Sequence, residues 1–166
     1  NALRHAPDEP YTDSEMWWLW VNAVATQLAE VDDGAYSDRW VESLAYAWTS
    51  YLPRFALEPN VAITKTIVLD DEIDQAEAWA QAPSHAQSIN LYSYPMCSSF
   101  LGFRHYPSAM ADFLLWGRDT LGARAHVPEC GPADWAFDAP KYAYTQALQW
   151  DADADPTKIM DDFCAA

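Results

Sequence analysis

The sequence predicts an α/β fold of parallel strands joined by helices, and three observations point to it. Four strand-like segments recur: Val41–Trp48 (VESLAYAW), Val61–Leu69 (VAITKTIVL), Ile89–Tyr94 (INLYSY) and Ala123–Glu129 (ARAHVPE). Segments with helical periodicity flank most of them, and such alternation implies parallel strands with crossover connections. Each strand-like segment also runs into polar or aromatic residues at its C-terminal end. In parallel α/β architectures those ends share one rim, where ligands bind.

The elements follow in order. Residues 1–11 read as a loop. Thr12-Asp13-Ser14-Glu15 has the spacing of a capping box, with Glu three residues after Thr. A helix is expected from there to about Val31. Trp17, Val21, Val24, Leu28 and Val31 recur at three- and four-residue steps and form its apolar stripe. Asp32-Asp33-Gly34 ends it. Val41–Trp48 sets Leu44, Tyr46 and Trp48 against Ala45 and Ala47. A long aromatic loop, Thr49–Pro59, follows and suits a rim position. Val61–Leu69 is β-branched and mostly apolar, as in a strand buried on both faces; Lys65 is the exception.

Asp70-Asp71-Glu72-Ile73-Asp74 opens a short helix with Ala76, Trp79 and Ala80 on its apolar side. Acidic residues in a first turn complement the helix dipole. Ile89–Tyr94 sets Ile89, Leu91 and Ser93 against Asn90, Tyr92 and Tyr94. Pro107 suits the first turn of the next helix. That helix buries Met110, Phe113, Leu114 and Leu121, and Gly122 is a natural C-cap. Ala123–Glu129 puts Arg124 and His126 on one face and Ala125, Val127 and Glu129 on the other. Pro128 marks its end. Asp138 with Pro140 starts a helix in which Tyr144, Ala147 and Leu148 face inward. Asp155-Pro156 starts the last one, carrying Ile159, Met160 and Phe163, with Cys164 expected in the core.

Composition narrows the partners. The chain has 166 residues, 51% of them hydrophobic, which is enough for one domain with a real core rather than a disordered segment. No apolar run is long enough to span a membrane. Nine Lys and Arg against 25 Asp and Glu leave a net charge of −16. Phosphate backbones and anionic membranes are repelled, and neutral or cationic ligands remain open. The N-terminus does not resemble a signal peptide. The chain starts with Asn and stops inside a helical pattern, so both ends read as cut from something longer. The strand expected before the first helix then belongs to a preceding part.

Nine Trp, nine Tyr and six Phe are many for this length. Most suit a large core. Flat rings also stack on the apolar faces of pyranoses, and carbohydrate sites combine such rings with carboxylates. Cys97, Cys130 and Cys164 make no metal motif. Cys97 and Cys130 both follow strand-like segments and suit either a disulfide at one rim or two buried thiols.

The tail YTQALQWDADADPTKIMDDFCAA resembles the end of a bacterial domain family of unknown function, assigned to the glycoside-hydrolase TIM-barrel superfamily. WLWVNAVATQLAE, ESLAYAWTSYLP, PNVAIT and SINLYSYPM resemble that family's helix and strands in the same order. The resemblance spans nearly the whole chain. It implies the C-terminal half of a (β/α)8 barrel, with the other half in the missing N-terminal part. It also implies a carbohydrate-related role in secreted or cell-surface proteins. It carries over no catalytic pair.

Candidate site residues then follow from the strand ends. Glycosidases use two carboxylates that flank the scissile bond. Glu129 ends a predicted strand, where barrel enzymes place catalytic groups; its structural alternative is a rim carboxylate paired with Arg124 or an amide. Asp70, or a residue outside the chain, is the second. Tyr94 and Trp48 are candidate sugar contacts. Tyr92 shares the Tyr94 face and equally suits packing. Lys65 in an apolar strand needs a carboxylate partner, unless it lies on an edge strand. His126 is a further candidate contact, although its strand parity is opposite to that of Glu129. A zinc site of His126, Glu129 and Cys130 is disfavoured by that parity, and no cofactor motif is present. The expected ligand is a carbohydrate. The expected activity is O-glycosyl hydrolysis; the alternative is a non-catalytic carbohydrate-binding or scaffold domain of the same fold.

Overall fold

Thr12 opens the first helix as its sequence requires. In the computed structural model, which describes residues 10–68, 71–82, 88–96, 105–130 and 135–166, the Thr12 hydroxyl accepts from the Glu15 N–H at 3.2 Å, and Glu15 accepts from the Thr12 N–H at 2.9 Å. This reciprocal box starts α1, Asp13–Gly34. Val31, Asp32 and Asp33 leave helical geometry, the two aspartates at φ 51 and 55. Regular helix therefore stops where the sequence suggests.

The buried face of α1 differs from the expected stripe by one residue. Trp18, Val21 and Ala25 are buried, Trp17 is half-buried and Val31 is exposed. Two adjacent tryptophans compete for the core at this step. A buried indole needs an acceptor for its N–H. Trp18 finds the Thr49 carbonyl at 3.2 Å, deep under the chain. Trp17 finds the Ser43 hydroxyl at 2.9 Å, at the margin.

The architecture is α/β, with parallel strands alternating with helices, and the chain divides into two compact units, Asn1–Ile89 and Asn90–Ala166. In the first unit, β1 (Val41–Ala45) pairs in parallel with β2 (Val61–Ile67), from Val41 opposite Val61 to Ala45 opposite Lys65. β2 is buried through its first six residues, as its β-branched sequence predicts. α2, Asp71–Ala80, buries Ala76 and Trp79. Trp18, Val21, Ala45, Val61, Ile63, Trp79 and Ile89 form the core between strands and helices.

β1 stops three residues short of the expected Trp48. Ala47 takes φ 49, in the left-handed region, and the chain closes into a 3-10 turn at Ala47–Thr49. The Thr49 hydroxyl accepts from the Tyr46 N–H at 3.0 Å and lies 2.9 Å from the Leu44 and Tyr46 carbonyls. Those groups would otherwise be left unpaired at the strand end.

β3 (Ser88–Met96) begins at the end of the first unit and continues into the second, where it pairs in parallel with β4 (His126–Cys130), Leu91 opposite His126, with an irregularity between Ser93 and Met96. β4 starts later than Ala123 and carries Pro128 inside it, opposite Ser93. α3, Pro107–Leu121, has Pro at its start and ends at Gly122 with φ 65. α4, Trp135–Trp150, starts ahead of the expected Asp138-Pro140. α5, Pro156–Ala165, is capped by Asp155, which accepts from the Thr157 N–H at 2.8 Å. Met110, Ala111, Leu114, Tyr144 and Leu148 form this unit's core, with Ile159 and Met160 against it.

Cys164 is exposed rather than buried. α5 turns Ile159 and Met160 toward the core, which leaves Phe163 and Cys164 outside. The Cys97–Cys130 pairing lies outside the described residues, as does Asp70. Among the described residues, no helix is long and apolar enough to cross a membrane.

Candidate functional site

In the first unit an open cleft of about 740 Å³ is lined by Asp13, Met16, Trp17, Trp20 and Trp48. Four of these come from α1 at positions i, i+3, i+4 and i+7, which is one helix face. It is the face next to the buried Trp18–Val21–Ala25 stripe. Trp48 comes from the turn after β1. The Ser14 hydroxyl meets the Tyr51 carbonyl at 3.3 Å, and Ala25 accepts from the Asn60 side chain, just before β2, at 3.0 Å. α1 therefore runs antiparallel to β1 and β2, and its first turns, with the cleft, sit at the C-terminal ends of those strands.

The rings in this cleft are ordered by contacts. Trp17 meets Trp48 edge-on, with centroids 5.9 Å apart and planes at 81°, and meets Trp20 at 5.1 Å. Trp20 is 58% exposed and Trp48 55%, so both offer ring faces to solvent. The turn that carries Trp48 is held from beneath. Trp18 donates to the Thr49 carbonyl, and Trp79 donates to the Ser50 carbonyl at 2.8 Å. Left-handed Ala47 is a non-glycine outlier at this point, of the kind that accumulates at functional sites.

One end of the cleft is tied down by a buried carboxylate. Besides capping α1, Glu15 accepts from the Arg54 N–H at 3.3 Å and meets the Arg54 guanidinium at 3.1 Å. Burial pushes the Glu15 pKa up. The hydrogen bonds from Thr12 and Arg54, together with the Arg54 charge, outweigh that and hold it below the usual value. Arg54 in turn lies over the Tyr11 ring at 4.7 Å.

The second unit gathers Tyr92, Tyr94 and Glu129 on one strand face. The Tyr92 hydroxyl donates to Glu129 at 2.7 Å, and Tyr92 and Tyr94 meet edge-on at 5.4 Å. Tyr92 lies opposite Val127, so Glu129 is its diagonal neighbour on the same face. Glu129 is half-buried, and its hydrogen bond orients the carboxylate near the end of β4.

His126 lies on the other face, as strand parity requires. Its ring meets Phe113 of α3 at 5.6 Å. Nε2 lies 2.7 Å from the Ser93 hydroxyl, and Nδ1 lies 3.1 Å from Gln149 Nε2. Gln149 Nε2 also donates to the His126 carbonyl at 2.7 Å, which fixes that end of the amide as nitrogen. Nδ1 must then accept, and Nε2–H donates to Ser93. This tautomer cannot take a proton from Ser93, so the pair is not an activated nucleophile. Burial pushes the His126 pKa down to about 4 and keeps the ring neutral.

Lys65 has no exposed surface. It lies opposite Ala45 in register and two residues from Ile63, both in the core that faces α1 and α2. It therefore points into the helical layer, whereas the expectation was a barrel interior or an exposed edge. Its Nζ donates to the Thr66 carbonyl at 2.6 Å and lies 3.4 Å from the Ser50 hydroxyl and 3.9 Å from Glu72. The expected carboxylate partner is present, in a structural setting.

The structure thus places the sequence candidates in separate groups: Trp48 in the cleft, Tyr92, Tyr94 and Glu129 on one strand face, and Lys65 and His126 toward helices. Asp13, Met16, Trp17 and Trp20 line the cleft and were not among the site candidates read from the sequence. The i, i+3, i+4, i+7 spacing could have revealed them, but Trp17 was assigned to the core stripe. No group of three His, Cys, Asp or Glu arranged for a metal occurs among the described residues. Comparison with protein-family models, with characterised proteins and with solved structures returned no match.

Proposed function

We propose that the chain is a carbohydrate-recognising part of a glycoside-hydrolase-like domain, and that the tryptophan cleft is its sugar platform. The observation that carries this reading is the cleft of Trp17, Trp20 and Trp48 with Asp13 at its edge. Its volume is that of a ligand site. Two large exposed indole faces beside a carboxylate are what a pyranose needs: rings for its apolar face and an acceptor for its hydroxyls. Parallel strands alternating with helices agree with half of a (β/α)8 barrel, which would place the cleft on the ligand-binding rim. A secreted or cell-surface setting goes with this reading.

The test is glycan binding, followed by tryptophan fluorescence and calorimetry. Trp48→Ala and Trp20→Ala should each weaken binding at least about tenfold, since stacked aromatic contacts carry a large share of such affinity. If the folded protein binds no glycan from a panel of plant, fungal and bacterial polymers, the reading is wrong.

Hydrolysis is the second reading, and the Tyr92–Glu129 hydrogen bond favours it. A tyrosine that orients a carboxylate at a strand end suits a nucleophile or an acid/base in a two-carboxylate mechanism. The partner is Asp70 or a residue outside this chain. Glu129→Gln in the full-length protein should abolish release of reducing ends. Unchanged turnover would remove Glu129 from the chemistry and leave the binding reading intact.

A further inference from the structure

We propose that the tryptophan cleft selects glycans whose hexose units carry a free, protonated amine, over the N-acetylated or neutral counterparts. The inference rests on the sugar-platform reading and names its ligand class.

The cleft has an electrostatic character as well as an apolar one. Among the described residues its lining holds three tryptophans, one methionine and one aspartate, and neither lysine nor arginine. Indole is the best of the aromatic rings for holding a cation over its face. Trp48 and Trp20 are both more than half exposed, so their faces are accessible to an ammonium group. The near-perpendicular Trp17 and Trp48 rings make a corner, with two ring surfaces at about a right angle.

Asp13 supplies the countercharge. It is exposed in the first turn of α1 and is one of the residues that line the cleft. The whole chain carries a net charge of −16, which draws cationic polymers to its surface and repels anionic ones. A neutral pyranose uses only the ring faces and hydrogen bonds of such a site. A 2-amino-2-deoxyhexose uses those and also places a positive charge between indole and carboxylate. Acetylation removes that charge and adds bulk at the same carbon.

The experiment compares two ligands of one length on the intact chain, the deacetylated glucosamine tetramer and the N-acetylglucosamine tetramer. Calorimetry is run at low salt, below the pKa of the amine. The deacetylated tetramer should bind about five- to tenfold more tightly, the scale of a cation–π contact with a nearby carboxylate. Asp13→Asn keeps hydrogen bonding and removes the charge. It should cut the preference at least about threefold, by weakening the deacetylated tetramer more than the acetylated one. Trp48→Ala should weaken both.

Equal or tighter binding of the acetylated tetramer would overturn the selectivity and leave the sugar platform standing. A preference that survives Asp13→Asn unchanged would overturn the assigned role of Asp13 and with it the proposal. If neither tetramer binds, and the wider glycan panel also fails, the platform reading falls too.

Discussion

Gly117 sits in the middle of α3, where glycine is a poor helix former, and a methyl group there tests how closely that helix lies on β3. A Cβ built at Gly117 falls well inside van der Waals contact of Leu91 Cδ1, with Leu91 Cγ at 3.7 Å and Ala123 Cβ at 3.8 Å. Leu91 is 1% exposed, so its side chain has no solvent to move into. Two terms compete in Gly117→Ala. Replacing an interior helical glycine by alanine gains about 1 kcal/mol of helix propensity. Forcing a methyl into a packed core costs about 1–3 kcal/mol. The net expectation is a loss of about 1 kcal/mol, read as a lower urea midpoint at unchanged slope. A double-mutant cycle isolates the contact. Leu91→Ala alone should cost about 2–5 kcal/mol, but with Gly117→Ala the combined loss should fall short of the sum by about 2 kcal/mol, the whole cost of the clash. Full stabilisation by Gly117→Ala, or strict additivity of the pair, would refute the close approach.

Further expectations concern the left-handed turn, the buried histidine and the buried lysine. Ala47→Gly should stabilise the first unit by about 0.5–1 kcal/mol, because the left-handed penalty on alanine outweighs the extra entropy of glycine; a lower unfolding midpoint would contradict the turn. His126 has a folded-state pKa of about 4, below its ordinary 6.5, owing to burial. Its neutral-state stability is therefore fully present above the unfolded value and is lost as pH falls through that window toward the folded value. The loss should reach about 2–3 kcal/mol, seen as a urea midpoint that drops between about pH 7 and about pH 4.5 in the wild type but much less in His126→Asn. An imidazole titrating near its ordinary value by NMR would count against it. Lys65→Met should cost about 2 kcal/mol or more, since it leaves Glu72 and the Thr66 carbonyl without the ammonium; adding Glu72→Gln should recover part of that loss. Equal midpoints for wild type and Lys65→Met would show that the ammonium contributes nothing net.

Local rules made much of the fold readable. The Thr12–Glu15 box, Pro107 at a helix start, Gly122 at a helix end and the β-branched run of β2 each act within a few residues, and each appears where the sequence puts it. Phase was harder to read than period. In α1 both Trp17 and Trp18 satisfy an apolar repeat, and the choice between them was made by the Thr49 carbonyl, 31 residues away. The same long-range dependence explains the shortened β1, since the turn at Ala47 is held by Trp18 and Trp79 from two different helices. Lys65 reads as an anomaly in sequence because its partners Ser50 and Glu72 come from either side of β2. For the candidate site, strand parity was enough to put Tyr92 with Tyr94 and to separate His126 from Glu129; the Tyr92–Glu129 hydrogen bond, in place of the Arg124 or amide partner expected for Glu129, depends on the β3–β4 register, which the sequence does not reveal. The cleft was not legible, because a tryptophan-rich helix does not reveal which of its rings remains in water.

The run WWLW in α1 interleaves the two jobs of that helix, residue by residue. Trp18 and Val21 belong to the core, while Trp17 and Trp20 belong to the cleft. A helix turns about 100° per residue, so inserting or deleting one residue ahead of this run would rotate both faces together. An insertion would drive Trp17 toward the interior as Trp18 came out, and a deletion would move Trp18 to the margin and Trp17 into solvent. Changes to the cleft face of this helix must therefore come by substitution and not by slippage, and any indel that disrupts the cleft here should disrupt the core in the same step.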